Sequence, residues 1–471
     1  MPRQLIAIAG IGAVVVVGLL ADDWIASVAL LVLFLGWRYL LREKGPPIVA
    51  AAFSNQWLQV TVGILYFAFT GRRVIEMQTD EYRPMVLIGL ATIITLFAGF
   101  YLAAGLGRAR KASVGPARQL PWSTYRIGVC YGITVAIAGL LQEIAWSTSG
   151  LTQVILVLSR IRYVFLFLLV TRLAKPQPRW QLLIAILAAE IILGFTGFFA
   201  DFREPLVIIG VAIFGTMDRK KAATWVTIAS IAGLAIGSAL IWTSVKPIIR
   251  EQYLASVSAG QRLNSVVTLT SSTLSSGIER WKGETDHLIS RIWVVYFAGL
   301  AYKRVPSIVP YENGAILREA VDNVLKPRLF FPNKPEIASQ SDEVRKYAGV
   351  WVLGRETNTS FAFGYAGESY VDFGLPYMFV PIFILGAILG FGYRWLSAHI
   401  SYDELRIGVI IVIFWSTLGL YEASWVMIIG PGLTVFGILG GGAVLLDRFL
   451  RKSTRRRMAP SRGTRAALAR S

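Results

Sequence analysis

The side chains able to do chemistry in this sequence are guanidiniums and carboxylates placed inside, or at the edges of, long apolar runs. Glu368 and Tyr370 stand in Gly364-Tyr365-Ala366-Gly367-Glu368-Ser369-Tyr370, at the start of such a run. The glycines let a ligand approach the backbone closely. Rings beside a carboxylate suit sugars, whose apolar faces stack while their hydroxyls bond to acids. The same residues also fit an aromatic belt at a membrane interface. The turn Asp201-Phe202-Arg203-Glu204 separates two apolar runs. A guanidinium there suits phosphate, because its planar fork binds oxyanions bidentately and stays charged. The alternative is a solvated turn anchored by Pro205. Arg160, Arg162 and Glu190 fall within apolar runs, where ionisable residues are costly. They read as a self-neutralising ion pair, a diphosphate contact or a proton relay. Arg280, Lys282, Glu284, Asp286, His287 and Arg291 crowd into one stretch, and Arg328 and Lys334 follow in KPRLFFPNKP (Lys326 to Pro335).

Other chemistries find little support. The two histidines, His287 and His399, form no HExxH, and the single cysteine, Cys130, lies in an apolar run, so neither a metal site nor a disulfide framework is expected. No GxxxxGK[ST] loop is present, so a nucleotide-driven engine is not expected, and neither is any cofactor. The formal charge of +19 invites a nucleic-acid reading. Basic clusters beside apolar spans instead set topology, and no nucleic-acid partner is expected.

The elements that must hold these residues are membrane spans. The 471 residues are 55% hydrophobic. Their mean hydropathy is +0.57. That is more apolar surface than one soluble core buries, so the solvent and first partner is a lipid bilayer. The expected fold is an all-α polytopic membrane protein of about 12 transmembrane helices. The runs are Leu5 to Leu20, Trp24 to Leu41, Pro47 to Thr70, Pro84 to Gly105, Ile127 to Trp146, Leu151 to Leu173, Trp180 to Ala200, Pro205 to Met217, Ala222 to Val245, Phe373 to Leu396, Ile407 to Trp425 and Pro431 to Leu446. Pro205 to Met217 is short for a crossing. Loops rich in Lys and Arg alternate with the others, which puts both termini on the cytoplasmic side. Residues 1–245 then form an N-terminal bundle of about nine spans and 246–372 a large, mainly helical periplasmic loop domain. Residues 373–450 add about three spans, and 451–471 form a basic cytoplasmic tail.

Lys326 to Pro335, Asn358 to Gly374 (NTSFAFGYAGESYVDFG) and the Asp201-Phe202-Arg203 turn resemble the Wzy-like O-antigen polymerases, the oligosaccharide repeat unit polymerase family. The architecture is similar along nearly the whole chain. The resemblance implies a metal-independent glycosyltransferase of GT-C-like architecture in the cell inner membrane. Its reaction would transfer a growing glycan from a polyprenyl diphosphate carrier onto a lipid-linked repeat unit at the periplasmic face. A chain-length regulator and a flippase are the implied protein partners. On this reading Glu368 is the catalytic base, and Arg203, Arg280 and Arg291 neutralise the departing diphosphate. Asp201, His287, Arg328, Lys334, Tyr370, Arg160 and Arg162 contact substrate. A ligase, which would use His287, and a lipid-linked sugar flippase are the competing readings.

Overall fold

The computed structural model describes the chain apart from residues 1–23, 42–46, 74–81, 107–117, 148–150, 176, 197–202, 219–220, 255–258, 275–277, 327–329, 332, 335–338, 355–359, 362 and 459–471. The described residues are all-helical. Seven helices are long and apolar enough to cross a membrane: Ile48–Thr70, Tyr82–Ala104, Thr124–Leu141, Thr152–Leu173, Ala222–Trp242, Phe379–His399 and Trp425–Ser453. Trp24–Leu40 and Trp180–Phe195 are apolar but shorter. The expected run Leu5 to Leu20 and the tail beyond Met458 lie outside the described residues.

Several expected boundaries move, each for a local reason. Pro205 to Met217 becomes the 14-residue helix Arg203–Thr216. At 1.5 Å per residue this covers roughly 21 Å, short of the ~30 Å of hydrocarbon. Phe373 ends the helix Gly364–Phe373 instead of opening a span, because Gly374 takes φ 63° and Pro376 follows; the span starts at Phe379. Trp425 does not close the run from Ile407. The helix Asp403–Leu418 stops first. Ser424 then caps a new helix by accepting from the Met427 N–H, so Trp425 opens the last span.

Residue 245, expected as the end of the first bundle, falls inside a helix. The helix Ala222–Leu254 runs straight across that position. Further on, Trp293 is buried against the helix Ile48–Thr70, where its Nε1–H donates to the Val60 carbonyl at 2.8 Å. The following helix, Val295–Arg304, packs on Tyr82–Ala104, with Gly299 against Met85. The apolar stretch Leu288 to Tyr302 is therefore part of the bundle core.

Two spans pack with backbones nearly touching. Tyr82–Ala104 and Phe379–His399 meet at Gly99, Gly386 and Gly390, where any Cβ would collide with the Phe383, Leu96 or Phe100 carbonyl. Because 386 faces 96 and 390 faces 100, the two helices run parallel. Small residues permit this approach where lipid supplies no hydrophobic drive between helices.

One end of the bundle is marked by charge. The buried Asp447 accepts from the Ser401 and Tyr402 N–H groups at 2.8 and 3.2 Å and pairs with Arg451 at 2.8 Å. Beside that turn, Arg172 bonds Glu404 at 2.7 Å. This basic end sets a depth scale. Trp425 lies about 22 residues from Asp447, roughly 33 Å along a helix, and Arg160 about 12 residues from Arg172, roughly 18 Å.

Candidate functional site

Polar side chains gather in two places. The first is at the N-terminus of the last span. The helix Gly364–Phe373 begins at Gly364, with φ 79° and a Cβ position 2.8 Å from the Tyr421 carbonyl, so only glycine fits. Gln340 fixes this start, its Oε1 accepting from the Phe363 and Gly364 N–H groups at 3.0 and 3.4 Å. One turn on, Glu368 is 2% exposed, and its Oε2 accepts from the Trp425 N–H at 2.7 Å.

Its other partner is Glu343. That residue closes the short helix Gln340–Glu343, which starts with a capping box in which Ser339 and Asp342 satisfy each other's N–H groups. Glu343 is partly exposed, but its Oε2 is buried and finds no N–H or O–H donor. Two carboxyls in contact at a buried site disfavour each other's ionisation, and a proton shared between them would give that oxygen a donor. Burial, with added repulsion from Glu319, Asp372 and Asp342, pushes Glu343 up to about 7, although its bond to Glu368 works the other way. Burial foremost, then the charge of Glu343, raises Glu368 well above the carboxylate range, against the opposing Trp425 N–H.

Neighbouring residues named by the sequence turn out to be scaffolding. The Tyr370 hydroxyl donates to the Val305 carbonyl at 2.9 Å, and its ring meets Tyr302 edge-on at 4.4 Å. Asp372 accepts from the Ile316 and Leu317 N–H groups and so holds the first turn of the helix Ala315–Leu325. Lys334 closes the other end of that helix through the Asn323 and Lys326 carbonyls, both at 2.9 Å, and the Asn323 side chain. Helix C-termini carry exposed carbonyls that a cation satisfies.

The second gathering lies where the helices Thr152–Ser159 and Ile161–Leu173 are interrupted at Arg160. Arg160 approaches Glu204 at 3.8 Å, and the buried Arg162 approaches Glu190 at 3.9 Å. Tyr131 bonds Glu190 through its hydroxyl, and Arg162 donates to the Tyr163 hydroxyl at 2.7 Å. Of the two partners open to Glu190 in the sequence, the structure selects Arg162. Glu204, next to Arg203, takes Arg160.

Arg203 is next in sequence to Glu204 of the second gathering, and Glu368 belongs to the first. Glu204 is tied to Arg160, about 15 Å closer to the basic end than Trp425 on the depth scale above. Arg203 itself is exposed at the start of its helix. Glu368, expected at an open outer surface, is instead enclosed. His287 and Arg291 are exposed one turn apart on the helix Ile278–Ile292, whose Asp286 pairs with Arg72 and Tyr66. Asp201, Arg328 and the Arg280 side chain lie outside the described residues. Among the described residues no group of three or more His, Cys, Asp or Glu could hold a metal ion.

Sequence reasoning passed over Glu343. The signal was the Ser339-x-x-Asp342 capping box, which marks the start of the helix that Glu343 closes. No curated protein and no solved structure matches this chain. Residues 124–415, more than half the chain and spanning the acids of both clusters, match the family described as Domain of unknown function (DUF8712), and the chain belongs to that family.

Proposed function

We propose that this protein is a polysaccharide polymerase of the inner membrane, a glycosyltransferase that moves a growing glycan from a polyprenyl diphosphate carrier onto a lipid-linked repeat unit. The observation that carries the reading is the Glu343–Glu368 pair. Two of the three stretches that resemble the Wzy-like polymerases border it: Lys334 closes the helix that carries Glu319, and Glu368 lies in the second stretch.

In this reaction an acceptor hydroxyl attacks the anomeric carbon, the bond to the diphosphate breaks, and the hydroxyl proton needs a base. A carboxyl whose proton affinity sits near neutrality, on a residue that is not fully enclosed, suits that role better than one on a residue 2% exposed. We therefore assign the base to Glu343, with Glu368 holding it and sharing the proton. Neutralising the charge on the leaving diphosphate is assigned to Arg291, exposed on the helix Ile278–Ile292. The basic end of the bundle and both termini face the cytoplasm on this reading, and Glu343 faces the periplasm.

The test is polymerisation in liposomes by the purified protein given only a lipid-linked repeat unit, with products resolved by gel. Glu343→Gln should slow chain formation by on the order of 10²- to 10⁴-fold, the usual cost of losing a general base. Glu368→Gln should cost less and shift the pH profile. Wild-type protein that makes no polymer would remove the reading; near wild-type rates in Glu343→Gln would remove the assignment of the base.

The ion pairs deep in the bundle favour a second reading, translocation of the lipid-linked sugar. Loss of flipping in Glu190→Gln, with no polymer formed by the parent protein, would select it.

A further inference from the structure

The helix Ala315–Leu325 and the turn after it belong, by sequence, to the segment read as a loop domain outside the membrane. We propose that the exposed apolar side chains at the C-terminal end of this helix and just beyond it, Leu325, Phe330 and Phe331, are embedded in the lipid leaflet, as a ledge against the last span.

The helix packs on the span Trp425–Ser453 from the side. A Cβ added at Gly430 would lie 3.3 Å from the Val324 side chain, so Val324 sits about five residues, roughly 7 Å, below Trp425 along that span. At this depth the span shows Met427 and Leu433 outward, 55% and 58% exposed. Leu433 lies open on the side of the span, and Met427, nearer its start, also accepts from the Gln340 Nε2–H at 3.4 Å. The ledge is level with them and presents the same chemistry. Leu325 is 68% exposed, Phe330 73% and Phe331 48%.

These three bulky residues are not scattered. Lys334 ties the turn back onto the helix end through Asn323 and the Lys326 carbonyl, and its own N–H bonds the Phe331 carbonyl at 3.3 Å. Lys334 and Phe331 are thereby held near the helix C-terminus. An apolar patch of this size on a water-facing domain would be an aggregation liability, whereas next to the lipid-facing side of a span it extends an apolar surface already present. Lys326, half exposed and paired with Asp322 at 3.8 Å, stands at the rim, where a long cationic chain reaches headgroup phosphates.

The occupant is therefore the bilayer, not a protein. The same helix bears Glu319, whose charge bears on Glu343, so the ledge borders the carboxyl pair on its lipid side. The placement in lipid stands whatever reaction the pair performs.

Spin labels attached to cysteine in a Cys130→Ser background test it, with the protein reconstituted in phosphatidylethanolamine and phosphatidylglycerol vesicles. Labels at Leu325→Cys, Phe330→Cys and Phe331→Cys should relax strongly with oxygen and weakly with a water-soluble nickel chelate, as a label at Leu433→Cys does. A label at Ser307→Cys, exposed beyond the helix Val295–Arg304, should show the reverse. If labels at two or more of the three ledge positions follow the Ser307→Cys pattern, the ledge faces water or a water-exposed partner and the proposal falls. Using three positions keeps the outcome readable if one variant fails to fold.

Discussion

At the scale of single residues, a shared proton makes stability depend on pH in a fixed direction. Glu343 is raised from the ordinary 4.5 to about 7, and Glu368 is also raised. The native protein therefore holds protons that the unfolded chain has released between these values. A carboxyl raised in the folded state favours that state fully below pH 4.5, and the advantage fades as pH climbs through 7. The melting temperature of the detergent-solubilised protein should fall from pH 5 to pH 8. Glu343→Gln should flatten that slope and raise stability at pH 8, since no buried charge then has to be accommodated. Equal slopes in parent and variant would mean that the pair does not share a proton. The arginines behave differently. Arg160 and Arg162 lie near carboxylates at 3.8 and 3.9 Å, distances of Coulombic pairing rather than hydrogen bonding.

Helices in this bundle are placed by what lies between them. The pair Tyr82–Ala104 and Phe379–His399 approaches closely only because Gly99, Gly386 and Gly390 lack side chains. A methyl group at 386 would meet the Leu96 carbonyl, which cannot rotate away as a side chain could. Gly386→Ala should therefore destabilise the protein by about 1–3 kcal/mol or more, the range for overpacking. Gly132 faces open space in the helix Thr124–Ser147, so Gly132→Ala should be neutral or gain up to about 1 kcal/mol from helix propensity. Thermal unfolding followed by intrinsic fluorescence compares the two. Equal effects would contradict the close packing. Buried amides work by the opposite principle, filling gaps in the hydrogen-bond ladder. Asn55, Gln56 and Gln59 of Ile48–Thr70 bond the Gly419 and Leu418 carbonyls and the Tyr421 N–H, which lets the chain leave helix between Leu418 and Trp425 without stranding polar groups.

For the whole molecule, the proposed orientation of the bundle rests on where its basic side chains collect. Arg172, Arg406 and Arg451 surround the turn at residues 401–404, and excess Lys and Arg marks the cytoplasmic side. A membrane-impermeant thiol reagent applied outside should label Ser307→Cys and not Lys452→Cys, both in a Cys130→Ser background; both positions are exposed. The reverse pattern would invert the proposed topology, and with it the side on which the carboxyl pair works. Ser341, in the middle of the same loop segment, would mislead as a labelling site, because it is fully buried with its Oγ accepting from the Phe361 N–H.

The sequence alone determined that this is a helical membrane protein, because apolar runs of span length leave the backbone no other way to satisfy its polar groups. It also exposed Glu190 as a partner for one of two arginines, since ionised groups in apolar runs must be compensated. Residue spacing further implied the helix Ala315–Leu325 within one residue of where it begins. Only tertiary structure decided the rest. Where Trp293 packs and which carboxyl touches Glu368 depend on contacts between segments far apart in the chain. Glu343 is the clearest case. Alone in the sequence it is an ordinary acid after a capping box, and its proton affinity comes from burial beside an acid twenty-five residues further along the chain. Local periodicity reports which face of a helix is apolar, but pairwise electrostatics at a buried site depends on which helices meet.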